Sequence, residues 1–109
     1  MATNQADSDS KSLAQLEKEA AAAATGEADA KLGEAYLTYG QYEPAIAALR
    51  RGLGKSGVKS PETAQLHLGL AFLRSGKNDD ARSAFKAINQ DPTLTEIARL
   101  WTDYTRQQH

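Results

Sequence analysis

An internal repeat of 36 residues is the feature that most constrains how this chain can fold. A Leu-Gly-x-x-aromatic pattern at Leu32-Gly33-x-x-Tyr36 returns at Leu68-Gly69-x-x-Phe72. The motif is followed, at the same spacing in both copies, by a glycine, an alanine and a large apolar residue. These are Gly40, Ala45 and Leu49 in the first copy, and Gly76, Ala81 and Phe85 in the second. Apolar residues three and four positions apart in a repeat of this length predict one helical hairpin per copy.

Turn signals divide each copy into two helices. In the first copy, Gly40 separates a helix over residues 27–39 from one over residues 42–53. In the second copy, Ser60-Pro61 opens a helix that ends at Ser75-Gly76, and the acidic cluster at residues 78–80 caps the next. The predicted inward residues of the two repeats include Ala28, Ala35, Tyr39, Ile46, Ala48, Leu53, Ala84 and Ile88.

Helices are also predicted on both sides of the two repeats. The first is Ala-rich, with Leu13, Leu16 and Ala20 forming a narrow apolar stripe before it ends at Thr25-Gly26. The last is opened by Asp91-Pro92, and its stripe consists of Leu94, Ile97, Ala98, Trp101 and either Tyr104 or Thr105. We therefore expect a flexible tail at 1–10 and one domain at 11–109, divided into a packing helix (12–24), repeat 1 (27–54), repeat 2 (61–90) and a capping helix (92–108).

The combined motif resembles the tetratricopeptide repeat. This resemblance implies an all-α fold in which about six helices form antiparallel hairpins stacked as a short right-handed solenoid. The family's usual tryptophan position holds Asp29 here and Gln65 in the second copy, and the period exceeds the usual 34 by two residues, which fall in the loop at 54–60. The layout also looks like the C-terminal end of larger proteobacterial proteins of this family, which implies a soluble bacterial protein of either the cytoplasm or the periplasm.

The composition argues against several classes of partner. Thirteen Lys and Arg residues against fourteen Asp and Glu residues give a net charge of −1, so we expect no binding to nucleic acid. A small basic corner of Arg50, Arg51, Lys55 and Lys59 is expected to be a solvated surface. No apolar run approaches the roughly 20 residues of a membrane-spanning helix, and the absence of cysteine excludes disulfides and thiolate metal sites.

The residue types that carry catalysis are sparse. The chain has two histidines, His67 within a predicted helix and His109 at its end, and neither has acidic residues or another histidine at metal-ligand spacing. Gly52-x-Gly54-x-x-Gly57 follows a helix rather than a strand, so we interpret it as a linker and not as a nucleotide-binding loop. We therefore expect no catalytic residue, no cofactor and no metal site, and we do not expect an enzyme.

The resemblance also implies where a partner would bind. In this family, partners lie in the groove lined by the first helix of each hairpin, and the candidate contact residues are Glu27, Glu34, Thr38, Thr63, Leu66, Leu70, Leu73 and Arg74. The three leucines form either an open apolar surface or one covered by the neighbouring helices. Members that clamp a C-terminal carboxylate use lysine and asparagine at positions that hold Ala30, Glu34 and His67 here, so that mode of binding is not expected.

Two hypotheses remain from different classes. One is a protein-interaction module that binds a peptide or helix of an unidentified protein in the groove. The other is a structural end piece of a longer solenoid, or a segment that associates weakly with a second copy of itself through its Leu13/Leu16 stripe or its leucine surface.

Overall fold

The computed structural model describes residues 13–107 of the 109-residue chain. Within that range it contains six helices and no strand, so the expected all-α fold is confirmed. The helices are α1 (residues 13–22), α2 (Glu27–Thr38), α3 (Tyr42–Gly54), α4 (Pro61–Arg74), α5 (Asn78–Lys86) and α6 (Pro92–Arg106). The predicted tail at 1–10, and the predicted helix ends at Ser12 and residue 108, lie outside the described residues.

The helices form stacked antiparallel hairpins. The pairs α2–α3 and α4–α5 are the two repeats, and α3 packs against α4 to join them. On one side of the stack, α2 contacts α4, and α4 contacts α6. One layer therefore consists of α2, α4 and α6, with α3 and α5 behind it.

Both hairpins close around a glycine that faces a large side chain of the second helix. A Cβ atom added at Gly33 would clash with Leu49 Cγ and would lie only 2.7 Å from Leu49 Cδ2. At Gly69 it would lie 2.6 Å from Phe85 Cδ1. Since real Cβ atoms do not approach other atoms so closely, these glycines set the distance between the two helices of each hairpin.

The first helix of each hairpin also ends in the same way. Gly40 and Gly76 have φ angles of 73° and 79°, which glycine adopts without strain. In repeat 1 the amide of Gln41 donates to the carbonyl of Tyr36 at 2.8 Å, and in repeat 2 Lys77 donates to Phe72 at 2.8 Å. These bonds define a Schellman cap, which reverses the chain sharply enough for the second helix to begin two residues later.

The core is continuous through the layers. Its least exposed apolar side chains are Ala45, Ala48, Leu49, Ala71, Ala81 and Phe85. The alanines keep neighbouring helices close, while Leu49 and Phe85 fill the space over the two glycines. Leu32, Leu68, Tyr36 and Phe72 are buried at equivalent places in the two repeats.

Several predicted inward positions are wrong. Leu16 is 44% exposed and Tyr39 is 52% exposed, and Ala28 is exposed as well. Leu16 and Ala28 lie on the outer sides of their helices, and Tyr39 follows the last turn of α2. In α6 the stripe continues through buried Thr105, whereas Tyr104 is 44% exposed.

Some predicted helix ends are also wrong. The first helix ends at residue 22 and not at 24. Gly52 and Gly54, predicted as linker, form the last turn of α3, and Gly52 is buried where its backbone approaches Gly26. No side-chain cap forms at Ser60, and Lys77 precedes α5, so that residues 78–80 form its first turn. The cap at Asp91 is confirmed, because its carboxylate accepts the amide of Leu94 at 3.0 Å.

Candidate functional site

A groove runs along the layer formed by α2, α4 and α6. It consists of three adjoining depressions that share lining residues. The α2–α4 depression includes Glu27, Lys31, Glu34, Lys59, Thr63 and His67. The central depression, of about 560 Å³, includes Glu34, Thr38, His67, Leu70, Arg74 and Trp101. The α4–α6 depression, of about 530 Å³, consists of Leu73, Arg74, Gly76, Asn78, Trp101 and Tyr104.

The residues predicted as partner contacts lie along this groove with one difference. Glu27 and Thr63 line the α2–α4 depression, and Glu34 lines both that depression and the central one. Thr38 and Leu70 line the central depression, Leu73 lines the α4–α6 depression, and Arg74 lines both of these. Leu66 is not among the lining residues of the three depressions; it packs against the core.

The leucine surface is neither fully open nor fully covered. Leu66, Leu70 and Leu73 are all partly buried and pack against the hydrophobic core. Leu70 and Leu73 nevertheless contribute to the groove wall beside Trp101. The leucine part of the groove wall is therefore attached to the core, which makes the leucines poor positions for charged test substitutions.

Trp101 and Tyr104 were predicted only as part of a covering helix, and their position in the groove was missed. Trp101 is half-buried and lines two depressions, and Tyr104 lines one. Their rings meet edge to face, with centroids 5.6 Å apart and an interplanar angle of 84°. The spacing of three residues on α6 was the available signal, since it places both rings on one side of a helix. Aromatic side chains of this kind supply large contact area at little entropic cost.

Outside the groove, Asp29, Arg51, Lys55 and Glu17 form an ion cluster that the sequence analysis did not predict. Asp29 has no exposed surface, and its Oδ1 accepts a hydrogen bond from Arg51 Nε at 2.7 Å. The ammonium of Lys55 lies 2.8 Å from Asp29 Oδ2. That contact is an ion pair, because Asp29 Oδ2 accepts no aligned hydrogen bond among the described residues. Lys55 donates aligned hydrogen bonds to the carbonyls of Ala20 and Ala23 at 2.9 Å each.

This cluster attaches α1 to the first hairpin. Arg51 bridges Asp29 to Glu17 of α1, and Glu17 also accepts the hydroxyl of Tyr36 at 2.9 Å. Burial by itself would lower the pKa of Arg51, but hydrogen bonds to Asp29 and Glu17 raise it above its ordinary value. Burial and the hydrogen bond to Glu17 raise the pKa of Tyr36. The predicted solvated corner is therefore wrong for Arg51 and Lys55, which are structural.

The described residues were also searched for a metal site and for a membrane-spanning helix. Among residues 13–107, no group of three or more His, Asp or Glu side chains is placed to hold a metal ion. His67 is a partly buried residue of α4 that faces the groove, and His109 lies outside the described residues. No helix in the described part of the chain is both long and apolar enough to cross a membrane.

We compared the chain with models of protein families, with curated proteins and with solved structures. None of the three comparisons found a match.

Proposed function

We propose that this chain is a non-catalytic protein-interaction module of the tetratricopeptide type, and that it binds a peptide or helix of a partner protein in the groove. The observation that carries the proposal is the continuity of the groove across three helices. Glu34 and His67 connect its first two depressions, and Arg74 and Trp101 connect the second to the third. A path of this kind fits an extended or helical segment better than a compact small molecule.

The repeats support the family part of the proposal. The two hairpins share the glycine contact, the Schellman cap and the buried alanine of the second helix at equal spacing. Such stacked hairpins present the side chains of their first helices on one surface. The groove-lining residues of α2 and α4 come from that surface.

A capture experiment tests this proposal with two exposed positions. Thr38→Arg places a bulky cation in the central depression, and Ser83→Arg places the same side chain on α5, away from the groove. The full chain and both variants, checked for folding by circular dichroism, serve as bait in a bacterial lysate. We expect a protein that the parent chain and Ser83→Arg retain and that Thr38→Arg loses. Equal capture by the two variants would contradict a role of the groove.

A second candidate function is a structural end piece of a longer stack. The outer side of α6 carries exposed ion pairs between Glu96 and Arg99 and between Asp103 and Arg106, as expected for the last helix of a solenoid, although Leu100 on the same side is 63% exposed. At the other end, α1 leaves Leu16 44% exposed. Further repeats, or a second copy, would then pack on α1.

Analytical ultracentrifugation tests whether a second copy of the chain packs on α1. If α1 forms a contact between copies, the average mass rises with concentration, and Leu16→Lys abolishes the rise. A mass that stays monomeric at all concentrations counts against contact between copies through α1.

A further inference from the structure

We propose that the α4–α6 end of the groove takes an internal peptide segment in which an acidic side chain neighbours a bulky apolar one. Arg74 would bind the carboxylate, and Trp101 with Tyr104 would pack against the apolar side chain. This inference rests on the proposed function, because it specifies the chemistry of the partner segment.

Arg74 differs from the other arginines of the chain. Within residues 13–107, each of the other five has a partner in the chain: Arg50 lies over the Phe72 ring at 4.9 Å, Arg51 pairs with Asp29 and Glu17, Arg82 with Asp79, Arg99 with Glu96, and Arg106 with Asp103. Arg74 makes no such contact in the described structure and is exposed. A guanidinium without an internal counter-charge is available for a carboxylate, which it binds with two parallel hydrogen bonds.

The charges change along the groove. The α2–α4 depression contains both signs, with Glu27 and Glu34 alongside Lys31 and Lys59, and Glu27 already accepts the backbone amide of Lys59 at 3.0 Å. Among the described residues that line the α4–α6 depression, Arg74 is the one that is charged. Electrostatic complementarity therefore selects an anionic group at this end and gives no clear preference at the other.

The surroundings of Arg74 specify the second half of the recognised pair. Trp101 and Tyr104 form an edge-to-face pair that lines the same depression, and Tyr104 keeps 44% of its surface exposed. Tryptophan, tyrosine and arginine are the residues that most often dominate the binding energy of protein interfaces. A bulky apolar side chain next to the acid would bury these rings.

The position of Arg74 also indicates an internal residue and not a chain end. Arg74 and Trp101 line both the central and the α4–α6 depressions. A segment that fills both depressions therefore continues on either side of the guanidinium. The carboxylate bound by Arg74 is therefore that of an acidic side chain, since a terminal carboxylate would leave one of the two depressions empty.

Trp101 is the single tryptophan of the chain, so its fluorescence reports binding without a label. The probes are three peptides, Ser-Ala-Leu-X-Phe-Ala-Ser, blocked at both ends, with X as Glu, Gln or Lys. A fourth peptide ends at Leu-Gln-Phe with a free carboxylate. Each is titrated into the full chain, and amide chemical shifts locate the contact. We expect the Glu peptide to bind about tenfold more tightly than the Gln peptide, as one charge-assisted hydrogen-bonded pair implies.

Variants of Arg74 test the assignment directly. Arg74→Gln should make the Glu and Gln peptides equal, and Arg74→Glu should reverse the order so that the Lys peptide binds most tightly. Lys86→Gln is the matched control, because Lys86 is also an exposed basic residue in the last turn of a helix but lies on α5 outside the groove lining. Lys86→Gln should keep the preference for Glu.

Several outcomes would overturn the inference. Equal binding of the Glu and Gln peptides in the groove of the parent chain overturns it and leaves the proposed function standing. The inference is also overturned if the Glu peptide still binds Arg74→Glu more tightly than the Lys peptide does. Tighter binding of the free-carboxylate peptide than of the Glu peptide replaces the internal acid by a chain end. Absence of binding by all four peptides also overturns the inference, while capture by the parent chain and its loss in Thr38→Arg test the groove separately.

Discussion

The two repeats share a skeleton but are closed differently at the ends opposite their Schellman turns. In repeat 1, buried Asp29 collects Arg51 and Lys55. The positions 36 residues later hold Gln65, Ala87 and Asp91, which form no such cluster. In repeat 2, the carboxylate of Glu62 accepts the backbone amides of residues 89, 90 and 91 at 2.8 to 3.1 Å, whereas Glu27 of repeat 1 accepts that of Lys59 at 3.0 Å beside the ion cluster.

This difference shows which part of a repeat is fixed by geometry and which part is free. The glycine contact must be the same in both copies, because it sets the distance between the helices of a hairpin. The far end of the hairpin can be closed by ion pairs or by a carboxylate that accepts backbone amides. In repeat 1 the same ions also attach α1, so the choice there depends on what packs against the repeat.

The largest expected effect comes from breaking the ion cluster of repeat 1. Asp29→Asn leaves Arg51 and Lys55 without their buried anion, and we expect the free energy of unfolding to fall by about 3 kcal/mol. Gln65→Ala, at the equivalent position of repeat 2, should cost less than about 1 kcal/mol. Urea unfolding followed by circular dichroism measures both. Equal losses would show that the ion pairs of Asp29 contribute nothing particular to repeat 1.

The shared glycines should give equal losses in the two repeats. Gly33→Ala and Gly69→Ala each force a methyl group into Leu49 or Phe85, and we expect each to cost about 2 kcal/mol. Gly54→Ala is the control, because nothing lies within 4 Å of an added Cβ there. It should leave stability unchanged or raise it slightly. A loss at only one of the two repeat glycines would contradict their structural equivalence.

A smaller effect is expected where repeat 1 has a hydroxyl and repeat 2 has none. Tyr36→Phe makes the position identical to Phe72 and removes the hydrogen bond to Glu17, so we expect urea unfolding to show a loss of about 1 kcal/mol. Tyr42→Phe serves as the control, since no hydrogen bond of its hydroxyl occurs in the described structure. A loss as large in the control would contradict the role of the Tyr36 hydroxyl.

The same variant predicts a pH dependence at the alkaline end. Because burial and Glu17 raise the pKa of Tyr36 in the folded state, its contribution is complete below the unfolded pKa of about 10 and is lost as the pH rises towards the folded pKa. As the pH rises above about 10, the parent chain should therefore lose more stability than Tyr36→Phe in urea unfolding. Parallel curves for the two chains would show that Tyr36 is not linked to folding.

The smallest effect concerns the closure of repeat 2. The backbone amides of Asp91, Asn89 and Gln90 lower the pKa of Glu62 against the opposing effect of desolvation. Its contribution is present above the unfolded pKa of about 4.3 and is lost as the pH falls through the folded value. In thermal unfolding, Glu62→Gln should thus be less stable than the parent chain near neutral pH and approach it in acid. A difference that does not change with pH would contradict the assigned role of the carboxylate.

Much of the fold could be predicted from the sequence because it depends on local spacing. The equal distances between Gly33 and Leu49 and between Gly69 and Phe85 indicate two equivalent hairpins. The glycines at 40 and 76 mark the turns for the same reason. The predictions for Leu16 and Tyr39 were wrong, since periodicity identifies an apolar side of a helix but does not say whether a neighbouring helix covers it.

The candidate site could be predicted only in part. The groove residues on α2 and α4 follow from the repeat pattern, whereas Trp101 and Tyr104 join them only because α6 packs beside α4. The burial of Asp29 with Arg51 likewise joins residues that are 22 positions apart and lie on different helices. A contact between residues so far apart in the sequence cannot be predicted from local spacing.

The sequence by itself determined the helices and turns, because each depends on residues within a few positions of one another, and it determined the repeat, because the same spacing returns after 36 residues. The tertiary structure alone decided which charges pair across long distances in the sequence, because the pairs within α5 and α6 already follow from a spacing of three residues. Among residues 13–107, it left Arg74 without an internal counter-charge beside two aromatic rings, while Arg51, with the same side chain, pairs with the buried Asp29. The physical reason is that the pairing of a charge depends on the desolvation and the neighbours that packing imposes, and these come from distant parts of the chain.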